Sequence, residues 1–324
     1  LTALLTALFL LLGATALADE VIHIGIIQFA EHGSLDNCRI GFIEGLAEEG
    51  FVEGENVVFD VQNAQADTAI SAQIADVMAG KYDMICAIAT PAAMAAFNAA
   101  EDAGIPVIYT AVSDPVSAML ASADGKNPGN ITGTSDALNT EFIMDMMFAQ
   151  NPNVAKVGLL YSLNEPNSAK PIADAKAYLD AKGITCIEQT ANTNDEVVAA
   201  ASALIAAGVD AVFTPTDNVI MAAEMAIAED FAINGIPHYT GADSFVRNGA
   251  YATCGVNYTD LGTRTADLAL KAMAEGMSGM EDYYLMDGGI ITVNTDTAAM
   301  IGKQAEYSCF DSMGTVVEVT TTKD

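Results

Sequence analysis

Basic residues and tryptophan are scarce in this chain of 324 residues. It has 12 Lys and Arg against 43 Asp and Glu, no Trp, and a formal net charge of -31. Nucleic-acid binding requires clustered basic side chains against phosphate, and anionic membrane surfaces select for the same charge. Both kinds of partner are therefore disfavoured, and the acidic balance predicts a well-solvated surface.

Metal and cofactor motifs are missing as well. The five cysteines form no C-x-x-C pair, and the chain contains no Walker loop, G-x-G-x-x-G turn or H-E-x-x-H pair. Of the three histidines, His23 and His238 fall in predicted strands, so no Ser–His–Asp set can be argued, and we expect His23 to be structural. The sequence predicts no metal, no cofactor and no enzymatic activity, although missing motifs alone do not exclude an enzyme.

Only the first eighteen residues contain a long apolar stretch. They carry no charge, include the run 4–12, and end in Ala16-Leu17-Ala18, a small-x-small cleavage site. We predict a signal peptide cleaved after Ala18 and an exported protein, periplasmic or secreted. A membrane anchor is the alternative, although the run is short for a span.

The second half of the chain repeats the first. Gly104-Ile105-Pro106 precedes an apolar run and a polar pair, and Gly235-Ile236-Pro237 does the same 131 residues later. Segments that begin at Asp83 and Asp210 recur at an offset of 127. Two similar units predict two lobes whose strand ends face one cleft, and that arrangement suits the gripping of a small molecule.

Short apolar strands alternate with helices in both units, which is typical of βαβ structure and a parallel sheet. The predicted strands are 21–29, 56–62, 83–89, 107–110, 157–161, 185–189, 211–214, 238–240, 251–257 and 289–293. The predicted helices are 35–49, 68–79, 91–102, 138–149, 168–182, 195–207, 218–233 and 261–275. The fold class is therefore α/β with two Rossmann-like lobes, and 128–134 is predicted as the first crossing between them.

Polar residues follow the predicted strands. Ligands of open parallel sheets bind beyond the carboxyl ends of the strands, where helix N-termini supply N–H groups and a partial positive charge. In the first unit Thr90 and Ser113 could hold a carboxylate, and in the second Asp217 and Asn218 could take an ammonium. Each of these residues could equally be an ordinary helix cap.

Further candidates for ligand binding lie in the neighbouring loops. They are His32 and Asp36 after the first strand, Glu165 and Asn167 after its counterpart, and the acidic residues Asp114 and Asp243. The apolar part of the pocket is predicted at Phe29, Leu35 and Leu163.

Taken together, these motifs resemble those of a known family. The resemblance is carried by Gln28, His32, Leu35-Asp36, Gly41-Phe42, Asn63-Ala64-Gln65, Ala89 to Ala93, Val112 to Pro115, Asn130 to Thr134, Glu165 to Ser168, Pro215 to Asn218 and Gly255 to Gly262. Over essentially the whole mature chain they are similar to ABC transporter substrate-binding proteins of the tryptophan/tyrosine uptake type.

This resemblance implies a type I periplasmic-binding fold with three crossovers and a hinge. Lobe 1 would comprise 19–134 plus 258–285, and lobe 2 would comprise 135–257 plus 286–324. The implied function is capture of an aromatic amino acid (Trp, Tyr or Phe) and its delivery to an ABC permease and its ATPase. The resemblance adds Asn63 to the candidate ligand-binding residues, and we expect a monomer.

Three other functions remain open at this stage. A binder of a sugar or another small polar solute has the same fold, although the lack of Trp for stacking counts against a sugar. A ligand-sensing partner of a membrane receptor would have the same sequence features. An exported enzyme on a flavodoxin-like scaffold is disfavoured because no nucleophile and base are paired.

Overall fold

The computed structural model describes residues 21–123, 128–302 and 307–322, so the predicted signal peptide lies outside the described residues. Among these ranges, no helix has the length and apolar character needed to cross a membrane. The described elements alternate between strand and helix from the first strand to the ninth helix, apart from two neighbouring strands at the first crossing.

The strands are β1 (Ile22–Gln28), β2 (Val57–Asn63), β3 (Met84–Ile88), β4 (Val107–Thr110), β5 (Ile131–Ser135), β6 (Lys156–Tyr161), β7 (Thr185–Thr190), β8 (Ala211–Thr214), β9 (His238–Thr240), β10 (Ala252–Gly255), β11 (Tyr284–Leu285), β12 (Ile290–Asn294) and β13 (Thr315–Val319). The helices are α1 (Gly33–Glu48), α2 (Thr68–Ala79), α3 (Thr90–Ala100), α4 (Thr140–Gln150), α5 (Pro166–Ala181), α6 (Asn194–Ala206), α7 (Asn218–Ile233), α8 (Asp243–Arg247), α9 (Tyr258–Glu275) and α10 (Thr295–Met300). A 3-10 helix spans Tyr307–Ser312.

The strands form two sheets that share a common core of five strands. The first has six strands in the order β11-β5-β4-β3-β1-β2, and the second has seven in the order β13-β12-β10-β9-β8-β6-β7. Strands β5-β4-β3-β1-β2 correspond one for one with β10-β9-β8-β6-β7, which confirms the predicted repeat. We call the first sheet with its helices lobe 1 and the second lobe 2.

The chain passes between the sheets three times, after β5, after β10 and after β11. The second passage leads into α9, which packs along α1 of lobe 1. A methyl group on Gly41 of α1 would collide with the backbone oxygen of Thr259, and one on Gly262 of α9 with that of Cys38. These glycines bring the two helices into backbone contact and fix α9 to lobe 1.

The central strands are buried on both faces. Every residue of β3 and β4 is buried, because helices cover the two sides of a parallel sheet. Cys86 in β3 is fully buried, as predicted for a core residue. The same double cover leaves only the carboxyl ends of these strands open to a ligand.

Several elements differ from the sequence-based expectation. Strand β5 lies where only a crossing was predicted, and β12 runs antiparallel to β10 instead of parallel. Strand β5 escapes notice because only Ile131 is strongly apolar and the other residues are Thr132, Gly133, Thr134 and Ser135. Its hydroxyls are nevertheless satisfied, since Thr134 Oγ1 bonds to Thr110 Oγ1 at 3.1 Å.

The prediction that His23 faces the core was wrong. Its side chain is exposed at the N-terminal end of β1, where its backbone N–H donates to Asp83 Oδ2 at 2.8 Å. The buried half of β1 begins one residue later, at Ile24.

Candidate functional site

A cavity of about 20 Å³ lies between the lobes, beyond the carboxyl ends of β3 and β4 in lobe 1 and β8 and β9 in lobe 2. Ligand pockets typically measure about 300–1,000 Å³, so a small ligand would fit only after the lining side chains or the lobes move apart. The position is the one expected for a ligand of parallel sheets.

The two lobes are hydrogen-bonded to each other around this cavity. Three side-chain bonds cross the cleft and join His32 Nε2 to Asn218 Oδ1 (3.0 Å), Ser34 Oγ to Ser244 Oγ (2.6 Å) and Ser113 Oγ to Thr216 Oγ1 (2.9 Å). The structure therefore shows the cleft closed.

The lobe 1 wall is built on strained backbone. Ala89 has φ 82° and ψ 155°, and Ala111 has φ 55°, so both lie in regions that glycine normally occupies. Each strained residue costs on the order of 1–3 kcal/mol and tends to mark a functional site. The strained residue Ala89 precedes α3, whose first residue, Thr90, lines the cavity. The N–H groups of Thr90 and Ala92 have no partner within the helix, and Pro91 between them has no N–H. The buried Thr90 Oγ1 beside them has no hydrogen-bond partner among the described residues.

On the lobe 2 wall, Asp217 serves mainly to hold its own lobe together. Its Oδ1 accepts from the backbone N–H groups of Val219 and Ile220 at 3.1 Å each, and its Oδ2 accepts from Ser162 N and Ser168 Oγ at 2.7 Å each. Burial raises the pKa of Asp217, and these donors oppose that rise. Four donors occupy the carboxylate, which favours the capping role.

A polar chain runs from lobe 2 to lobe 1 through Asn218. Its amide nitrogen donates to Glu165 Oε2 at 2.9 Å, and its amide oxygen faces His32 Nε2. The imidazole therefore donates from Nε2 and leaves Nδ1 as an acceptor with no partner in the described ranges. Burial lowers the pKa of His32, so the neutral ring is favoured.

Glu165 lies behind Asn218, outside the cavity wall. Burial, and after it the negative charge of Asp217, holds the pKa of Glu165 well above its ordinary range. A neighbouring amide, Asn167, lines the cavity and donates to Thr216 O at 2.6 Å, while its buried Oδ1 has no partner in the part of the chain that the structure describes.

Asp136, a residue that the sequence patterns did not indicate, also lines the cavity. It is 5% exposed, and it lies in the first passage between the lobes, directly after β5. Its carboxylate accepts from Ser113 Oγ and from Tyr258 OH, both at 3.0 Å. Burial raises the pKa of Asp136, and these two hydroxyls oppose the rise. Recognition of β5 as a strand would have revealed Asp136 as a polar residue at a strand end.

Apolar and aromatic side chains complete the cavity. Leu35 lines it from lobe 1, as predicted, together with Met221 and Phe245 from lobe 2 and the ring of Tyr258. The other two apolar predictions were wrong. Phe29 is buried in the core beneath the site, and Leu163 is 69% exposed on its loop.

The structure brings together six of the eleven predicted ligand-binding residues. Those that line the cavity are His32, Thr90, Ser113, Asn167, Asp217 and Asn218. The other five make contacts elsewhere: Asp36 with Gln28 and Arg39, Asn63 with Gln65 N, Asp114 with Ser117, Glu165 with Asn218, and Asp243 with Arg247.

Two further observations concern charge and metals. Of the residues that the structure describes, those that line the cavity include no Lys or Arg. Within the described ranges no group of three or more His, Cys, Asp or Glu side chains is arranged to hold a metal ion.

Two similar lobes that close over a small polar cavity define this chain as a binding protein for a small molecule. The family model described as ABC transporter substrate binding protein matches residues 23–303. The chain belongs to this family, whose members bind small-molecule ligands outside the cytoplasm and work with ABC transporters.

Known relatives extend the comparison. The tyrosine-binding protein of Clostridioides difficile (strain R20291) is 35% identical over 283 residues, which cover 87% of this chain and 81% of the relative. An ABC domain in complex with L-Trp from Streptococcus pneumonia is 29% identical with a TM-score of 0.84, and the match covers 92% of this chain and 100% of that one. The ligand-free, open structure of a substrate binding protein with adhesive properties from Clostridium difficile is 34% identical with a TM-score of 0.67, with coverage of 93% and 100%.

The two solved structures rank in opposite orders by sequence and by shape. The open structure has the higher identity, 34% against 29%, and the lower TM-score, 0.67 against 0.84. A difference in the relative orientation of the lobes lowers the TM-score even when the structure within each lobe is unchanged. The lower TM-score against the open structure therefore agrees with the hydrogen bonds that close the cleft here.

Proposed function

We propose that this protein captures an aromatic amino acid outside the cytoplasm and delivers it to an ABC permease and its ATPase. The observation that carries the proposal is the composition of the closed cavity. Among the described residues, unpaired donors lie on the lobe 1 wall, unpaired acceptors lie nearby, and aromatic rings flank both. An amino acid has the complementary groups, and the relatives named for Tyr or complexed with L-Trp support the aromatic side chain.

The carboxylate would lie at the N-terminus of α3. The Thr90 hydroxyl and the adjacent backbone N–H groups are donors, and the helix end contributes partial positive charge. Ser113, predicted from the sequence as a second contact of the carboxylate, already donates its one hydroxyl hydrogen to Asp136, so we assign the carboxylate to Thr90 and the N-terminus of α3 alone. The absence of Lys and Arg from the described lining argues for an anion that carries a single charge.

The ammonium would face acceptors. His32 Nδ1 and Asn167 Oδ1 are buried without partners in the described ranges, and Asn218 fixes the orientation of the imidazole through its Nε2. Asp217 and Asn218 were the ammonium partners expected from sequence, but their hydrogen bonds within the protein support a positioning role instead.

The remaining proposals concern export, oligomeric state and the bodies that move on closure. Cleavage after Ala18 would release an exported, monomeric binder that carries out no catalysis. The bodies that move on closure would be 19–134 plus 258–285 and 135–257 plus 286–324, with the three passages as the hinge.

The test is calorimetric titration of the mature protein with Trp, Tyr and Phe, after unfolding and refolding to remove any bound ligand. We expect at least one of them to bind tightly. A folded protein that binds none of the three would overturn the proposal, and a screen of sugars and other polar solutes would follow.

A single variant tests the carboxylate site. Thr90→Val keeps the shape of the side chain and removes its hydroxyl. A hydrogen bond to a charged group contributes about 1.5–3 kcal/mol, so we expect the Kd to rise roughly 10- to 150-fold. Thr185→Val, at an exposed position of β7 far from the cleft, is the matched control. Equal affinities in both variants would remove Thr90 from the site.

A further inference from the structure

We propose that Asp136 is the residue that receives the ligand's α-ammonium and that it makes the site specific for amino acids over the corresponding carboxylic acids. The proposal rests on the proposed function and assigns one of its contacts. The sequence predicted that Asp217 binds the ammonium, whereas no sequence motif indicated Asp136.

The acidic side chains near the cleft differ in how many hydrogen bonds their carboxylate oxygens already accept from the protein. Asp217 accepts four hydrogen bonds from its own lobe, and Glu165 lies behind Asn218. Asp36 and Asp243 pair with arginines on their own helices. Of these described acidic residues, only Asp136 combines a place on the cavity wall with a carboxylate whose side-chain donors are two hydroxyls, those of Ser113 and Tyr258, beside its own backbone N–H.

Asp136 also lacks a cationic partner in the described part of the chain. Its two side-chain donors are neutral hydroxyls, its own backbone N–H is a third contact, and an ionised carboxylate has about four acceptor sites. An ionised carboxylate that is 5% exposed and has no cation beside it destabilises the folded protein, because burial removes its hydration. A ligand ammonium would supply the missing charge and fill the remaining acceptor sites.

The position of Asp136 links this contact to closure. It lies in the first passage between the lobes, and Tyr258 begins α9 directly after the second passage. Its other donor, Ser113, bonds across the cleft to Thr216. An ammonium on Asp136 would therefore be held where two hinge segments and both lobes meet, whereas the carboxylate would reach only lobe 1.

The experiment compares three ligands that share one side chain. L-tyrosine carries both charged groups, tyramine lacks the carboxylate, and 3-(4-hydroxyphenyl)propionate lacks the ammonium. Titration of the wild type gives the ratio of affinities for tyrosine and the propionate. In Asp136→Asn we expect tyrosine to bind roughly 10- to 150-fold more weakly, while the propionate binds as before or better. The ratio of the affinity for tyrosine to that for the propionate should therefore fall.

Two comparisons keep the result interpretable. Equal weakening of tyrosine and the propionate would mean that Asp136 only supports the fold, and an unchanged ratio would also overturn the assignment. A lower ratio in Asp217→Asn but not in Asp136→Asn would return the ammonium to Asp217. A wild type that binds none of the three refutes the proposed function itself, a result distinct from those that refute Asp136 alone.

Discussion

Four buried polar atoms beside the cleft have no hydrogen-bond partner in the described part of the chain: Thr90 Oγ1, His32 Nδ1, Asn167 Oδ1 and Glu165 Oε1. Each unmet buried group costs roughly 1–3 kcal/mol. A folded protein tolerates such a cost where another molecule can satisfy the group. Three of these four residues line the cavity, so their unmet hydrogen bonds lie where a ligand can complete them.

Local sequence identified part of this site. Thr90, Ser113 and Asn218 follow strands that are apolar and easily recognised, so their place at the strand ends could be predicted. Asp136 could not, because the strand before it is built of threonine and glycine. Phe29 was misplaced because an apolar residue at a strand end has the same pattern whether it faces the core or the ligand.

Glu165 should make stability depend on pH. Its pKa is raised from an ordinary 4.5, so the folded state holds the proton more tightly than the unfolded state. The free energy of unfolding therefore falls as pH rises above about 4.5, by at most about 1.4 kcal/mol per pH unit. Glu165→Gln keeps an acceptor for Asn218 and removes the titration, so its stability relative to wild type should improve with rising pH.

Urea denaturation of both proteins between about pH 4.5 and pH 8 measures this difference. Glu229→Gln, on the exposed face of α7, controls for the loss of a surface charge. A difference between Glu165→Gln and wild type that stays constant over this range would contradict the expected linkage.

At the scale of elements, the contact between α1 and α9 determines how the lobes are connected. Gly41 and Gly45 of α1 face Thr259 and Ala266 of α9, Gly262 of α9 faces Cys38 of α1, and the backbones meet where a Cβ would not fit. Because α9 begins directly after the second passage, this contact anchors one hinge segment to lobe 1. If the lobes move, we expect the second passage to bend beside this closely packed helix pair.

Gly41→Ala tests this contact. The added methyl group would collide with Thr259 O, a backbone atom that cannot rotate away, so we expect a loss of about 1–3 kcal/mol or more in the free energy of unfolding. Gly80→Ala is the control, because no described atom lies within 4 Å of the position that its added methyl group would take, and its φ is -94°. Chemical denaturation compares the two. Similar stabilities would show that the helices can move apart at little cost.

Helices and strands could be predicted where an apolar run ends at a recognisable capping residue or turn. Helix α7 and strand β4 have the predicted bounds, because apolar runs end there at capping residues or turns. Strand β5 and the short helix α8 depend on contacts made far along the chain. The hydroxyl of Thr134, for example, bonds to Thr265 Oγ1 at 2.8 Å, a pairing that no local pattern contains.

At the scale of the whole molecule, the main electrostatic feature is the net charge of -31. Repulsion among the carboxylates opposes the compact state and also opposes the closing of two acidic lobes. The basic residues are too few to pair with most of the acidic ones, although Lys170–Asp174 and Lys176–Glu188 are examples of pairs on lobe 2.

Salt should therefore stabilise this protein. The screening length falls from about 10 Å at 0.1 M to about 3 Å at 1 M salt, so added NaCl weakens the repulsion. We expect Tm in thermal scans to rise over this range, and KCl should act like NaCl if the effect is screening. A Tm that is constant or falls with salt would show that repulsion does not limit stability.

The three passages of the chain between the sheets have a consequence for biosynthesis. Lobe 1 receives α9 and its outermost strand β11 only after most of lobe 2 has been made. A nascent chain released up to residue 250 would hold an unfinished sheet in each half, with the face that α9 covers still open. Lobe 1 cannot reach its final form before residue 285 has been made, nor lobe 2 before residue 319, so each sheet is completed only by strands that follow β10 in the chain.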